Sequence, residues 1–404
     1  MAIGVVDMEA LISALPGVEH ARRDDGRVVA LPSTVEQVAA VTRAVNDHGL
    51  TIEIGGSNTK RGWGNPVRAD LLLNTQRLAG VREHRWQDLT ATVGAGTPWA
   101  AMQWELKKHG QFVALDPLWP QQARVGGVIA TNDSGALRMS YGSLRDLIIG
   151  MTIVLADGTI AKTGGKVVKN VAGYDLHKLM TGAFGTLGVI AEVTFRLHPL
   201  PAHTQMWSAA SRDPDVLAFL MMKVTDSRMR VRAMQLRASM QGCALDIELA
   251  SLPEVIASQV DRLNVLVRGC GGTCKVQEDL SADLFSAREQ IFGHEVVVKI
   301  TMLHTAIAGL VRDVLQLGGT AVAQASGIML AGFRESTAMN ALPYLYEYVK
   351  RERGLMTVLQ ARERPQPEWA FLPERTGMAE LMRRVKRQFD PKATLNPGRL
   401  MGGI

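Results

Sequence analysis

Cysteine is scarce in this chain: three residues, Cys243, Cys270 and Cys274, stand among 404. So small and odd a number excludes a disulfide framework, and it falls short of the four thiolates that usually hold an iron–sulfur cluster. A reducing compartment fits. Long hydrophobic runs are also missing. The longest apolar stretches, near 147–156 and 300–311, are interrupted or too short to span a bilayer, and the N-terminal residues carry Asp7 and Glu9 without a basic region. The expectation is a cytoplasmic protein with no membrane anchor of its own. Nor does one sign of charge dominate: Lys plus Arg, 45, exceeds Asp plus Glu, 39, by six. Only Arg383, Arg384, Lys386 and Arg387 are dense, and a turn and a half of basic helix reads as a solvated face, which argues against nucleic acid.

With 47% hydrophobic and 21% charged residues, 39 Gly and 16 Pro, the composition is that of an ordinary globular chain. The length predicts two to three domains. Short β-branched runs alternate with amphipathic helices in the first half. Residues 28–31 read as a strand, and Ser33 with Glu36 as a capping box for a helix burying Val38, Val41 and Val45 before Gly49. Strands follow at 51–54, 71–74 and 90–93. Thr97 as N-cap and Pro98 in the first turn predict a helix over 99–109, stopped by Gly110. Residues 146–156 and 159–163 form a hairpin around Asp157-Gly158, and 188–197 is a further strand.

Pro199 and Pro201 mark a boundary near 199–204. Beyond it come helices near 216–224, 253–267, 305–317 and 336–353, with strands near 231–237, 243–249, 295–302, 320–325, 328–333 and 356–361. These elements fall into two strand-and-helix sets of similar size, which predict an antiparallel sheet backed by helices, without a visible sequence repeat. A last helix with Met378, Leu381, Met382, Val385 and Phe389 on one stripe leads into the tail.

Two glycine-rich turns carry the chemistry. The first, Ile54-Gly55-Gly56-Ser57-Asn58-Thr59-Lys60, leaves a strand directly. Consecutive glycines let successive N–H groups point at a phosphate, with hydroxyls as further donors. The second, after Asp116-Pro117, is Gly126-Gly127-Val128-Ile129-Ala130-Thr131-Asn132-Asp133-Ser134-Gly135. Neither contains the Gly-Lys-Ser/Thr of a P-loop, and Gly94-Ala95-Gly96 has Trp99 where a dinucleotide fingerprint needs its third glycine. An ordinary strand-to-helix turn explains the first segment equally well when it is read alone.

In order and context the two turns resemble the FAD-binding domain of the vanillyl-alcohol oxidase, or PCMH, type. The match continues through Tyr141-Gly142, Asp146, the Asp157-Gly158 hairpin, Gly185-Thr186-Leu187-Gly188-Val189-Ile190 and the tail motif Asn396-Pro397-Gly398-Arg399. It covers residues ~25 to 200 plus the tail. The segment from Gly164 to Leu176 is similar to the small FAD-binding subunit of the bacterial glycolate oxidase complex.

The resemblance implies an α+β fold: a two-subdomain PCMH-type FAD-binding domain over 1–200, a smaller α+β cap with an antiparallel sheet over 201–375, and a segment, 376–404, returning to the flavin. It implies FAD held by Ile54, Gly55, Gly56, Ser57, Asn58, Thr59, Lys60, Pro117, Gly126, Gly127, Ala130, Thr131, Ser134 and Gly135. Tyr141, Gly142, Asp146, Gly185, Val189, Ile190, Asn396 and Arg399 would lie beside the cofactor. The implied partners are a larger FAD-binding catalytic subunit and an iron–sulfur subunit, through which the complex would sit at the inner membrane. The implied reaction oxidises glycolate, a small 2-hydroxy acid, to glyoxylate with the hydride passing to flavin.

Ser57 and Asn58 stand where some relatives attach flavin through histidine or cysteine, so the FAD is expected to be non-covalent. Catalytic relatives carry a His-Gly-Asp segment in the second domain, whereas His203, His294 and His304 are isolated here. The chain therefore reads as auxiliary to the catalytic subunit. A self-sufficient 2-hydroxy acid dehydrogenase and a scaffold with a vestigial flavin site are the alternatives. Lys169 and Tyr174 are the weak catalytic candidates, and a loop packing on the domain explains them as well. Cys270 and Cys274 read as a turn rather than a metal clip.

Overall fold

The computed structural model describes residues 7–165, 174–277, 284–361, 371–372, 377–400 and 403–404. The chain divides into two compact units. The first comprises Met1–Asp133, Ser143–Pro199 and Glu374–Ile404, and the second Ser134–Gly142 and Leu200–Pro373.

Among the described residues the first unit holds two larger sheets and one two-stranded ribbon. After helix α1 (Met8–Ser13), strands β1 (Glu19–Arg22), β2 (Val28–Leu31), β3 (Ile52–Gly55) and β4 (Leu71–Asn74) assemble in the order β1-β2-β4-β3. The β1–β2 pair is antiparallel, and β4 runs parallel to both of its neighbours. Helix α2 (Val35–Asp47) buries Val38, Val41 and Val45 together with Ile52, Leu71 and Leu73. Its cap falls one residue later than the Ser33/Glu36 spacing predicts. Thr34 accepts from the Gln37 N–H at 3.2 Å, and the Gln37 amide accepts from the Ser33 N–H while donating to the Gly17 carbonyl at 2.8 Å. A glutamate cannot make that last bond, which selects Gln37 over Glu36.

The second sheet contains β5 (Val81–Arg85), β6 (Thr90–Gly94), β8 (Ile148–Val154), β9 (Ile160–Gly164) and β10 (Val189–Arg196) in the antiparallel order β5-β6-β10-β8-β9, while β7 (Gln111–Phe112) pairs with β11 (His198–Pro199). The β8–β9 hairpin turns at Gly158, where φ is +79° and a Cβ would come within 2.6 Å of the Ala39 carbonyl. Only glycine suits that position. Helices α3 (Trp99–Lys107) and α4 (Val125–Ala130) pack Trp99, Met102, Leu106, Val128 and Ile129 into a core that includes Phe195. Thr97 does not cap α3. Its hydroxyl donates to the Gly94 carbonyl at 2.6 Å and accepts from the Gly80 N–H at 2.9 Å, stitching the turn below the helix.

Of the short helices, α5 (Arg138–Tyr141) belongs to the second unit, whereas α6 (Leu144–Leu147) and α7 (Leu176–Met180) belong to the first. His177 of α7 is buried, and its Nδ1 has no hydrogen-bond partner among the described residues. Burial pushes its pKa, and that of His198, below 6.5. The unfolded chain then binds more protons than the folded one below that pH, so stability is full above about pH 6.5 and falls as acid takes the pH down through the folded-state values. Urea midpoints measured between pH 7.5 and 5.5 should decline, and less steeply in His177→Leu. Equal slopes in the two proteins would refute the assignment to His177.

The C-terminal helix Met378–Phe389 belongs to the first unit, where Leu395 forms a parallel bridge with Ile52 beside β3. The expected apolar stripe is only half-buried, with Leu381 59% exposed. The expectation of a solvated basic face also needs correction, because Lys386 is buried.

Among the described residues the second unit is built on one nine-stranded sheet in the order β15-β12-β14-β13-β17-β18-β16-β19-β20. Its first half runs β12 (Thr204–Ser211), α8 (Pro214–Thr225), β13 (Val231–Ser239), β14 (Gly242–Ala250), α9 (Pro253–Arg268), β15 (Cys274–Val276). After α10 (Ala287–Gln290), the second half runs β16 (Val296–Thr301), α11 (Ile307–Gln316), β17 (Thr320–Gln324), β18 (Ile328–Phe333), α12 (Glu335–Arg351), β19 (Leu355–Gln360), with β20 (Phe371–Leu372) at the edge. Each half is a β-α-β-β-α-β unit, and β13–β17 pairing joins them. One core of residues such as Leu236, Leu245, Leu310 and Leu345 serves both halves. Ser140 of α5 donates to the Val231 carbonyl at 2.6 Å, anchoring Ser134–Gly142 in this unit although it lies early in the chain. Among the described residues no helix is long and apolar enough to cross a membrane.

Candidate functional site

The two glycine-rich turns of the first unit meet at one cleft holding about 610 Å³ of space, open solvent included. It gathers Ile54, Gly55, Gly56, Ser57, Asn58, Thr59 and Lys60 from the end of β3, Gly127, Ala130 and Thr131 from α4, and Asn396 and Arg399 from the tail. The backbone N–H groups of Gly56, Ser57, Asn58 and Thr59 make no hydrogen bond among the described residues, and neither does that of Gly127. Five unused donors in one cleft suit an oxyanion. A Cβ on Gly127 would meet nothing within 4 Å, so that position faces open space.

Arg124 was not singled out from the sequence, although a cation two residues ahead of a glycine pair is a readable signal. Its Nε donates to Ser57 Oγ at 2.7 Å and its Nη1 to the Gly96 carbonyl at 2.9 Å, so a fixed positive charge borders the free N–H groups. Arg124→Gln should weaken binding of an anionic ligand here about tenfold and flatten its salt dependence, as expected for one charge-assisted contact. Equilibrium titrations at two ionic strengths check this, and unchanged affinity at low salt would count against it.

Lys60 turns away from the role of a free phosphate ligand. Its ammonium lies 3.3 Å from Asp133 and 3.2 Å from the Leu118 carbonyl, and the side chain is buried. Arg399 is likewise committed: its guanidinium donates to the carbonyls of Asn65 at 3.0 Å and Arg61 at 2.9 Å, holding the loop after Lys60.

Asn396 is the strut of the cleft. Its Oδ1 accepts from the Ile54 N–H at 2.8 Å, its Nδ2 donates to the Phe184 carbonyl at 2.6 Å, and its own N–H donates to the Ile52 carbonyl at 2.8 Å. At Gly185, φ is +71° and a Cβ would come within 2.7 Å of Asn396 Nδ2. Asn58, Phe184 and Asn396, all lining the cleft, have positive φ of 60°, 53° and 41°. Strained backbone of this kind gathers where geometry is set by function.

The remaining expected site residues are not among those lining this cleft. Pro117, ahead of the second turn, and Gly126, its first residue, do not line the cleft, and Gly126 packs against Ala95. Val189 and Ile190 are buried in β10. Asp146 caps α6, accepting from the Ser143 N–H at 2.8 Å and hydroxyl at 2.6 Å, and so stands before the strand rather than in it. Ser134, Gly135, Tyr141 and Gly142 are in the second unit. Tyr174 is 90% exposed, and its carbonyl accepts from Thr163. Lys169 lies outside the described residues. Cys270 and Cys274 flank the α9–β15 turn, and burial pushes the Cys274 thiol pKa up. Among the described residues no group of three or more His, Cys, Asp and Glu could hold a metal ion.

Residues 26–164 match the family of FAD binding domains. The chain is 35% identical to glycolate oxidase subunit GlcE of Escherichia coli over 162 residues, 40% of this chain and 46% of that one. It is 34% identical to glycolate oxidase subunit GlcD of Bacillus subtilis over 174 residues, 43% and 37% of the two chains. The aligned part thus spans less than half the length of these curated relatives. A D-lactate dehydrogenase of Archaeoglobus fulgidus is 26% identical over 444 residues, covering 96% of this chain and 94% of that one. The glucooligosaccharide oxidase of Acremonium strictum superposes with a TM-score of 0.72 at 15% identity, covering 96% of each chain. The fold is the PCMH-type α+β fold of FAD-binding proteins, and FAD is the cofactor the domain takes.

Proposed function

We propose that this chain is the auxiliary FAD-binding subunit of a multi-subunit 2-hydroxy acid oxidase of the glycolate oxidase kind, working beside a larger catalytic FAD subunit and an iron–sulfur subunit. The observation that carries the FAD site is the row of unpartnered N–H groups from Gly56 to Thr59 facing Gly127 with Arg124 alongside. These groups would hold the pyrophosphate, which needs many donors and a nearby cation. Ser57 orients the Arg124 guanidinium, and Asn396 fixes the end of β3 from which the turn departs. When bound, FAD supplies a two-electron acceptor for the hydride of a 2-hydroxy acid.

The similarity to the GlcE protein supports the subunit reading, as does the lack of a His-Gly-Asp segment in the sequence. The near-complete alignment with a D-lactate dehydrogenase favours a second reading, a self-sufficient 2-hydroxy acid dehydrogenase. Mixing the FAD-loaded chain with a separately purified larger glycolate oxidase subunit separates the two. The subunit reading expects a stable complex whose glycolate oxidation exceeds that of either protein alone. No association, with turnover by this chain alone, would overturn it.

The FAD is held non-covalently in this account, since Ser57 and Asn58 offer no sulfur or imidazole at the first turn. Acid precipitation should release all the flavin into the supernatant. Yellow colour remaining in the washed pellet would contradict this.

A further inference from the structure

The second unit contains a groove of about 870 Å³, within the range of a site for one small ligand. It belongs to a different unit from the glycine-rich turns, and the reading above assigns it no role. Its floor follows from strand register. Lys275 on β15 pairs with Ala210 on β12, Ala210 with Ala244 on β14, and Ala244 with Arg237 on β13. The four residues form one row across the sheet, opposite the face on which Cys243 and Cys274 join the core. Two alanines thus make a shallow floor between two cations that stand three strands, roughly 14 Å, apart.

The cations are arranged for use. Arg237 is held by Asp246, its Nη2 donating to Oδ1 at 2.9 Å and its Nε to Oδ2, and Asp246 is 1% exposed and also accepts from Ser208. That pairing fixes the guanidinium plane and leaves Nη1 without a partner among the described residues. Arg212, two residues beyond Ala210, and Lys275 form no ion pair among the described residues, none of which places a carboxylate in the groove lining. On the opposite wall His294 is locked in place: its Nδ1 donates to the Ile291 carbonyl at 3.0 Å, and its ring lies so close to Gly332 that a Cβ there would come within 2.6 Å of it.

We propose that this groove binds a small polyanion carrying two or more carboxylate or phosphate groups, one set engaged by Arg212 and Lys275 and another by Arg237. Spaced cations over a small-residue floor match an elongated ligand charged at both ends.

The test is calorimetric titration of the FAD-loaded full chain with citrate and with inorganic pyrophosphate, FAD occupying the other anion site throughout. We expect at least one probe to bind with a single-site isotherm. The double variant Arg212→Gln, Lys275→Gln should weaken it at least about tenfold, the loss expected for two charge-assisted contacts. Both residues are exposed, so the variant keeps its fold and flavin spectrum. Ala210→Leu, which raises the floor without touching charge, should weaken binding as well. Citrate binding alone assigns the site to carboxylates, and pyrophosphate binding alone to phosphates. No heat with either probe at millimolar concentration, or equal affinity in the wild type and the double variant, overturns the proposal.

Discussion

Lys386→Met is expected to destabilise the chain by about 3–5 kcal/mol, the range for leaving one partner of a buried ion pair alone. The ammonium donates to Asp390 Oδ2 at 2.6 Å, to the Thr186 carbonyl at 2.7 Å and to the Leu395 carbonyl at 2.8 Å, and both charged side chains are nearly inaccessible. Burial lowers the Lys386 pKa and Asp390 opposes that shift. Asp390 in turn accepts from the N–H groups of Thr394 and Leu395, which shapes the tail just before Asn396. The methionine variant should therefore lose flavin as well as stability. Urea unfolding checks the first effect and flavin content the second. Asp390→Asn added to Lys386→Met should recover part of the loss, because the amide still accepts from the backbone without an unpaired charge. Arg383→Ala, which removes an exposed pair with Glu380, should cost less than about 1 kcal/mol. Equal losses for Lys386 and Arg383 would sink the argument.

Gly127→Leu should have the largest effect on ligand binding with the least effect on folding. The position lies in the first turn of α4, its φ is not in the left-handed region, and a Cβ there meets open space. A side chain at this point improves helix propensity by up to about 1 kcal/mol while filling the cleft that the free N–H groups face. FAD affinity should drop at least about 100-fold, or roughly 2.7 kcal/mol, while the thermal midpoint of the flavin-free protein stays level or rises. Flavin-fluorescence titration and a melt of the same flavin-free sample measure the two. Full FAD retention would place the cofactor elsewhere.

Much of this architecture was legible in the chain because local signals and packing agree. Asp157-Gly158 between alternating runs specified the β8–β9 hairpin, and the spacing of Val38, Val41 and Val45 specified the buried face of α2. The strand β12 escaped notice: its Thr204–Ser211 sequence is rich in Ala and Ser and follows two prolines, so it resembles a linker until β14 and β15 pair with it. The doubling of the second unit was legible as two sets of strands and helices of similar size but not as a sequence repeat, because two β-α-β-β-α-β halves need the same element order and burial pattern but not the same residues. At the cleft, residue type and order pointed to both glycine turns, yet contacts distant in sequence decide what each side chain does. Lys60 is drawn to Asp133 and Arg399 to the carbonyls of Asn65 and Arg61, whereas Arg124 supplies the charge. The i, i+4 spacing of Lys386 and Asp390 was visible. Its burial depends on Thr186 and Leu395, which no local pattern reports.

The most direct measurement is the visible spectrum of the full chain purified alone, before and after anaerobic addition of glycolate and, separately, D-lactate. The account predicts yellow protein whose flavin bands stay oxidised with either substrate and bleach once the larger subunit is added with glycolate. Bleaching by either substrate with this chain alone, or a colourless protein that takes up no FAD, would contradict it.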